Sequence, residues 1–148
     1  METTIKVKVI KADGVQLPEY ATIGSAGMDI RAYIKEPITL ESLERRVIPS
    51  GIKVEIPEGY EIQIRPRSGM ALKHGISIPN APSTIDSDFR GEIGIMLINL
   101  SKEPYTIQPN ERVAQIILNK VEKMEFVEVE TLEETTRGAG GYGHTGIK

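Results

Sequence analysis

Ile52-Lys53-Val54-Glu55-Ile56-Pro57-Glu58-Gly59-Tyr60-Glu61-Ile62-Gln63-Ile64-Arg65 decides the fold class. Ile52, Val54 and Ile56 alternate with Lys53 and Glu55, and after a proline and a glycine Tyr60, Ile62 and Ile64 alternate with Glu61, Gln63 and Arg65. A period of two puts the apolar set on one face of a strand and the polar set on the other. The pattern extends outward. Segment 5–10 has Ile5, Val7 and Val9 with lysines between, and Met28, Ile30, Ala32 and Ile34 alternate with Asp29, Arg31 and Tyr33. Residues 93–100 are apolar on both faces, the mark of a central, doubly buried strand. Segments 112–120 and 126–130 predict two more strands. Nine prolines and fourteen glycines punctuate these runs, and no helical period exceeds about three turns. Many short strands separated by turn signals predict an all-β sandwich or barrel.

The chain has 148 residues, the size of one domain, with no internal repeat. At this length folding buries roughly 70% of the surface of the unfolded chain, enough for a core without covalent staples. The absence of cysteine excludes disulfides and thiolate chemistry. His74 and His144 are far apart, which argues against a protein-built transition-metal site. A net charge of −3 gives no footprint for duplex nucleic acid. Few aromatics and no tryptophan argue against a sugar-binding β-module. The first residues lack the apolar core of a signal peptide, and no apolar run approaches spanning length. The expectation is a soluble, cytoplasmic protein with neither membrane nor nucleic acid as partner. On that reading the glycosylation pattern Asn99-Leu100-Ser101 is coincidental.

Three stretches carry polar residues that a plain sandwich does not require. In Ala26-Gly27-Met28-Asp29-Ile30-Arg31-Ala32, Asp29 and Arg31 share a strand face, as a solvated ion pair or as part of a site. In Arg65-Pro66-Arg67-Ser68-Gly69-Met70-Ala71, two arginines run into a Ser-Gly turn, which is either a surface turn or a phosphate grip. Guanidinium forks suit phosphate geometry, and glycine lets an N–H approach a ligand oxygen. The third stretch runs from Asn80 to Glu92 and holds two of the four aspartates, Asp86 and Asp88. Asp88 suits a turn. Asp86 follows a β-branched pair and is expected on ordered strand backbone, where a carboxylate could deprotonate a water.

The sequence turns polar after Thr131, giving an expected division into a catalytic β-domain, 1–131, and a flexible, mobile glycine-rich tail, 132–148, that closes over the site. Gly138, Gly140 and Gly143 match a G-x-G-x-x-G pattern, but only five residues follow Gly143. No strand precedes and no helix follows, so the dinucleotide-binding reading fails. The tail is either a frayed terminus or a set of parts for closing over a phosphate and a base: one cation, one aromatic ring and many unhindered N–H groups.

Together these stretches resemble the trimeric dUTP pyrophosphatases, from about Ile5 to Gly146. Five motifs stand in family order: AGMDIRA, PRSGMA, a segment ending TIDSDFRGEI, RVAQIIL and RGAGGYGHTG. The resemblance implies a distorted jelly-roll, or β-clip barrel, and a homotrimer whose active sites are shared among subunits. It also implies hydrolysis of dUTP to dUMP and pyrophosphate, which keeps uracil out of DNA and supplies dUMP for dTMP synthesis. Asp86 would be the general base for water attack at the α-phosphorus. Arg67, Ser68, Gly69, Gln115, Arg137, His144 and Thr145 would hold the phosphates. Asn80, Ser83, Thr84, Ile85, Phe89 and Tyr142 would line the base and sugar, with the uracil in a hairpin starting near Asn80. Mg2+ would arrive with the nucleotide, and Asp29 would hold its waters.

Four positions depart from the commoner family pattern: Phe89 for tyrosine against the deoxyribose, Tyr142 for phenylalanine on the uracil, Ser83 for glycine and His144 for serine. A dCTP deaminase shares the fold but lacks the closing tail, and a non-catalytic nucleotide-binding relative would have lost Asp86 or Arg137. Protonated His144 would add a cationic phosphate contact. The KM of a His144→Ser variant should therefore exceed that of the parent; equal values would remove that contact.

Overall fold

Alternation becomes three antiparallel sheets in the computed structural model, which describes residues 4–147. Residues 1–3 of the expected domain and Lys148 of the expected tail lie outside the described residues. The strands are β1 (Lys8–Lys11), β2 (Met28–Arg31), β3 (Ile38–Leu40), β4 (Arg45–Glu55), β5 (Tyr60–Arg65), β6 (Ile76–Ser77), β7 (Ser83–Ile85), β8 (Glu92–Asn99), β9 (Tyr105–Ile107) and β10 (Arg112–Lys120), with one helix, α1 (Ser68–His74). One sheet runs β1-β4-β8-β6, a second β2-β10-β5-β7, and β3 pairs with β9. The two runs of the opening segment thus belong to different sheets, and the Pro57-Glu58-Gly59 corner carries the chain between them. The all-β class and the jelly-roll-like arrangement are as the sequence reads.

The core is aliphatic, built from Ile30, Leu40, Ile48, Ile64, Ile93, Ile95, Leu97, Ile107 and their neighbours. Strand β8 is central, between β4 and β6, but only one of its faces is fully buried; Gly94, Met96 and Ile98 on the other are half-covered. At the β1 edge, Ile5 and Val7 are half-buried while Val9 and Ile10 are exposed, so the alternation there secures only partial cover.

Asn99 is the buried polar exception, with no exposed surface. Its amide nitrogen donates to Leu40 O (2.9 Å) and Glu103 O (2.8 Å), and its amide oxygen accepts from Ser101 N (2.9 Å) and Ser101 Oγ (2.8 Å). Every hydrogen-bonding capacity of the side chain is used, which is the condition for burying an amide. Its nitrogen is closed to glycosylation. The loop it fixes meets α1: Leu100 N donates to Gly75 O (2.8 Å), and a Cβ on Gly75 would come within 2.8 Å of Ser101 N. Gly75 caps α1 in the left-handed region (φ 68°), where a side chain would be strained.

Two expectations are corrected. The Ser-Gly turn is the first turn of α1. Arg67 caps the helix in extended backbone, Met70 anchors it in the core, and Ala71, Leu72 and Lys73 favour helix over a bare turn. Segment 126–130 forms no strand; regular pairing stops at Lys120, and Phe126 is 90% exposed. A strand needs an edge to bond to, and no described segment supplies one there. Asn99→Ala should lower unfolding stability by about 2–4 kcal/mol, because two carbonyls and the Ser101 donors lose their partner. Chemical denaturation measures it, and a change below about 0.5 kcal/mol would deny Asn99 this role.

Candidate active site

Asp29 on β2 is gripped from two sides. Its Oδ1 faces Arg67 Nε at 3.4 Å and its Oδ2 faces Arg112 Nη1 at 3.3 Å. The partner expected from strand parity, Arg31, instead donates through Nη1 to Asn110 O (2.9 Å). Arg112 enters because β10 is irregular. The register against β2 shifts between Arg112 and Ala114, and Val113 and Ala114 are both buried. On a regular strand Arg112 and Gln115 would face opposite ways; the bulge brings both to one cleft. That cleft, about 560 Å3, is lined by Asp29, Arg31, Arg112, Gln115 and the loop from Gln16 to Gly27. Gly27 lets the loop press onto β10, since a Cβ there would lie 3.1 Å from Gln115 Oε1.

The segment between β5 and α1 that bears Arg67 is tied to β10 as well. Gln115 Nε2 donates to Pro66 O (2.9 Å) and Arg67 Nη1 to Arg112 O (3.0 Å). Ser68 and Gly69 follow on the exposed start of α1, whose first N–H groups have no intrahelical acceptor. Nothing lies within 4 Å of a Cβ built on Gly69, so the space beside its backbone is open.

Behind the arginines is a second tier. Tyr105 Oη donates to Glu111 Oε2 (2.6 Å), while Glu111 Oε1 accepts from Gln108 N (3.1 Å). This closes the turn whose carbonyls at Asn110 and Arg112 hold Arg31 and Arg67. His74, at the end of α1, packs on the Tyr105 ring with centroids 4.8 Å apart. Burial, then the hydrogen bond to Glu111 and its negative charge, push the Tyr105 hydroxyl up to about 12, against the opposing charge of Arg67.

The base-type residues are elsewhere. Strand β7, with Ser83, Thr84 and Ile85, is the outer strand of its sheet, so its far-side backbone groups have no strand partner in that sheet. Ile85 is buried and Thr84 exposed. Asn80 reaches Ser83 Oγ through Nδ2 at 3.4 Å. The expected hairpin at Asn80 is a corner instead: β6 before it pairs with β8 and β7 after it pairs with β5. Asp86 stands just past β7 and begins a turn in which Phe89 N donates to Asp86 O (3.1 Å). Its exposed carboxylate, with Thr84, Ser87, Asp88, Glu58, Glu61, Arg90 and Lys123, lines a different cleft of about 680 Å3.

The tail residues join neither group. Arg137 Nε donates to Gly140 O (2.8 Å), and Gly138, Gly143 and Gly146 turn the chain at positive φ. Tyr142, His144 and Thr145 are exposed. Arg112, Tyr105 and Glu111 were not among the residues singled out from sequence. The signal for Arg112 would have been a bulge, which leaves no mark in a period-two pattern.

Register measures how far apart the groups are. Gln115 stands opposite Arg65 and also opposite Asp29, whereas Ile85 stands opposite Ile62, which sets Asp86 beside Glu61. From Arg65 to Glu61 is four residues, about 13 Å along the strand, and from β2 to β7 is three strand spacings, about 14 Å across the sheet. Asp29 and Asp86 are therefore roughly 20 Å apart in one chain.

The model of the dUTPase family matches residues 13–146. Among curated relatives, the deoxyuridine 5'-triphosphate nucleotidohydrolase of Fusobacterium nucleatum is 63% identical over 142 residues, covering 96% of this chain and 97% of the relative. That of Finegoldia magna is 59% identical over 142 residues, covering 96% and 99%. Among solved structures, the Staphylococcus bacteriophage 80alpha dUTPase with dUPNHPP superposes with a TM-score of 0.85 at 28% identity, covering 97% of this chain and 100% of that chain.

The Tyr105 hydroxyl ionises above its ordinary 10.0 in the folded chain. Its contact with Glu111 therefore stabilises the fold fully below pH 10 and is lost as pH rises towards 12. In a phenolate absorbance titration one of the five tyrosines should ionise near 12, and Tyr105→Phe should abolish that step. An unchanged titration curve would contradict the assignment.

Proposed function

Because the chain belongs to the dUTPase family and hydrolyses dUTP to dUMP and pyrophosphate, we propose that it does so at sites shared among the subunits of a homotrimer, with Asp86 from one copy facing the Asp29–Arg67–Gln115 group of another. The observation that carries this reading is the separation of those two groups by roughly 20 Å within one chain. Charge supports it too. The cleft around Asp86 also holds Glu58, Glu61 and Asp88 against only Arg90 and Lys123, a net negative setting that suits a triphosphate poorly, while Arg67 and Arg112 flank Asp29 with Arg31 beside them. The exposed apolar residues Phe126, Val127 and Val129 support association through an added strand, as do the open backbone groups of β7.

In this mechanism Asp86 takes a proton from a water as the water oxygen bonds to the α-phosphorus, and the bond from that phosphorus to the α,β-bridging oxygen breaks in line. Pyrophosphate leaves with the electron pair. The Ser68 hydroxyl and the Gly69 N–H hold the bridging and β-phosphate oxygens, while Arg67 and Gln115 keep that stretch aligned. Arg137 reaches the γ-phosphate from the tail of a third copy, with His144 and Thr145 beside it. Fixed donors aimed at developing charge supply the larger share of catalysis. Asn80 and the backbone at Ile85 read the uracil edge, Ser83 and Thr84 flank it, Phe89 packs on the deoxyribose and Tyr142 stacks on the base. A cytosine would leave these buried polar groups unpaired.

Mg2+ serves the dUTPase family. Among the described residues no cluster of three or more His, Asp or Glu could cage a metal. A carboxylate has about four lone-pair sites, so Asp29 can accept from metal-bound waters while it pairs with Arg67 and Arg112. That donor set fits an ion held mainly by the nucleotide's phosphates and water. When bound, it offsets phosphate charge. No described helix is long and apolar enough to cross a membrane, which supports a cytoplasmic site of action. The dCTP deaminase and non-catalytic alternatives are not favoured.

Asp86→Asn should cut kcat by about 10²–10⁴-fold and leave the Kd for a non-hydrolysable dUTP analogue nearly unchanged. A chain truncated before Arg137 should fold normally and turn over poorly. Co-assembly of these two inactive forms should restore turnover, since each supplies what the other lacks. Full activity in either variant, or no recovery on mixing, would refute the shared site.

A further inference from the structure

Turn 86–89 is held from outside by its own downstream neighbours. Arg90 Nη1 donates to Ser87 O at 2.6 Å and to Phe89 O at 3.2 Å, spanning the turn with one nitrogen. The same guanidinium lies 3.8 Å from Glu55 Oε1 on β4, a strand of the other sheet. Glu55 is oriented by Lys8 (3.1 Å), its register partner on β1, whose hydrogen bond holds the Glu55 carboxyl below its ordinary range. These ion pairs are half-exposed and of small weight alone. The charge-assisted bonds to the two carbonyls are the stronger part of the arrangement. Gly91 supplies the complement. A Cβ there would lie 2.6 Å from Phe89 Cζ and 3.0 Å from Cε1, so the ring rests against the space a side chain would fill. Gly91 is not at positive φ, so its missing Cβ matters for the ring and not for the backbone.

We infer that Arg90 and Gly91 are positioning residues for sugar selection: Arg90 fixes the turn that carries Asp86 and Phe89, and Gly91 seats the Phe89 ring at the height where it excludes a 2′-hydroxyl. This rests on the proposed contact between Phe89 and the deoxyribose. Phe89 is 42% exposed, so much of its ring faces solvent and is open to a ligand. With an added methyl at position 91 the ring swings outward. Because the obstructing atoms are the far end of a flexible side chain, the fold absorbs the change. With Arg90 truncated, two turn carbonyls lose their donor, and both the ring and the Asp86 carboxylate lose definition.

The test compares kcat/KM for dUTP and for UTP in the full-length protein and in Phe89→Ala, Gly91→Ala, Arg90→Ala and Arg90→Lys. The dUTP/UTP ratio should fall about tenfold or more in the first three. Gly91→Ala should keep kcat for dUTP close to the parent value, Arg90→Ala should lower it, and Arg90→Lys, which keeps a donor, should recover part of both effects. Melting temperatures identify any variant that has merely lost stability, a change that by itself leaves the ratio where it was. If Phe89→Ala collapses the ratio while Gly91→Ala and Arg90→Ala do not, the inference is wrong and the sugar contact stands. If Phe89→Ala itself leaves the ratio intact, the sugar contact is wrong and the inference falls with it.

Discussion

Strand β5 is bonded on both sides, and its two registers govern the chemistry. One side sets Gln115 opposite Arg65, and the other sets Ile85 opposite Ile62. Neither can slip by one residue without turning Ile62 and Ile64 out of the core. The distance between the phosphate-type cluster and the Asp86 turn is therefore as rigid as the hydrophobic core that enforces it. A single chain has no means of closing that distance by local adjustment, and the proposed site shared between copies rests on that constraint.

Much of this frame is legible in the sequence because period two is a property of neighbouring residues. Ile52 to Glu55 and Tyr60 to Ile64 read directly as strands, and Asp29 and Gln115, read as strand residues, stand opposite each other across β2 and β10. What stays hidden depends on events that periodicity does not record. Arg112 reaches the cleft through a one-residue irregularity at Val113. Tyr105 meets Glu111 across a loop of six residues' separation, with no repeating pattern to announce it. Helix α1 spans seven residues between Pro66 and Gly75, too few for a helical period to emerge.

Segment 126–130 shows the opposite limit. Its alternation is real, but alternation specifies a strand's faces and not its partner. Phe126 and Val127 remain exposed, and no described edge takes up their backbone groups. The expected boundary after Thr131 lies inside a longer arm without strand pairing that begins after Val121, whose N–H still donates to Gly59 O (2.8 Å). The sequence encodes an element that seeks an edge, and in the proposed assembly a second copy offers one.

The tail follows the same logic with different chemistry. Its described hydrogen bonds are made within itself, from Arg137 to Gly140 and along turns at Gly138 and Gly143. Such bonds are readily exchanged for bonds to a ligand, but ordering a glycine-rich segment carries a large entropic cost. In the proposed site, a cation and an aromatic ring on that segment make closure depend on a nucleotide that offers both a terminal phosphate and a base. A ligand with only one of the two offsets less of the ordering cost and leaves the segment open. In the proposed site the tail therefore adds selectivity beyond what the rigid sheets provide, because its contribution is realised only when the whole substrate is present.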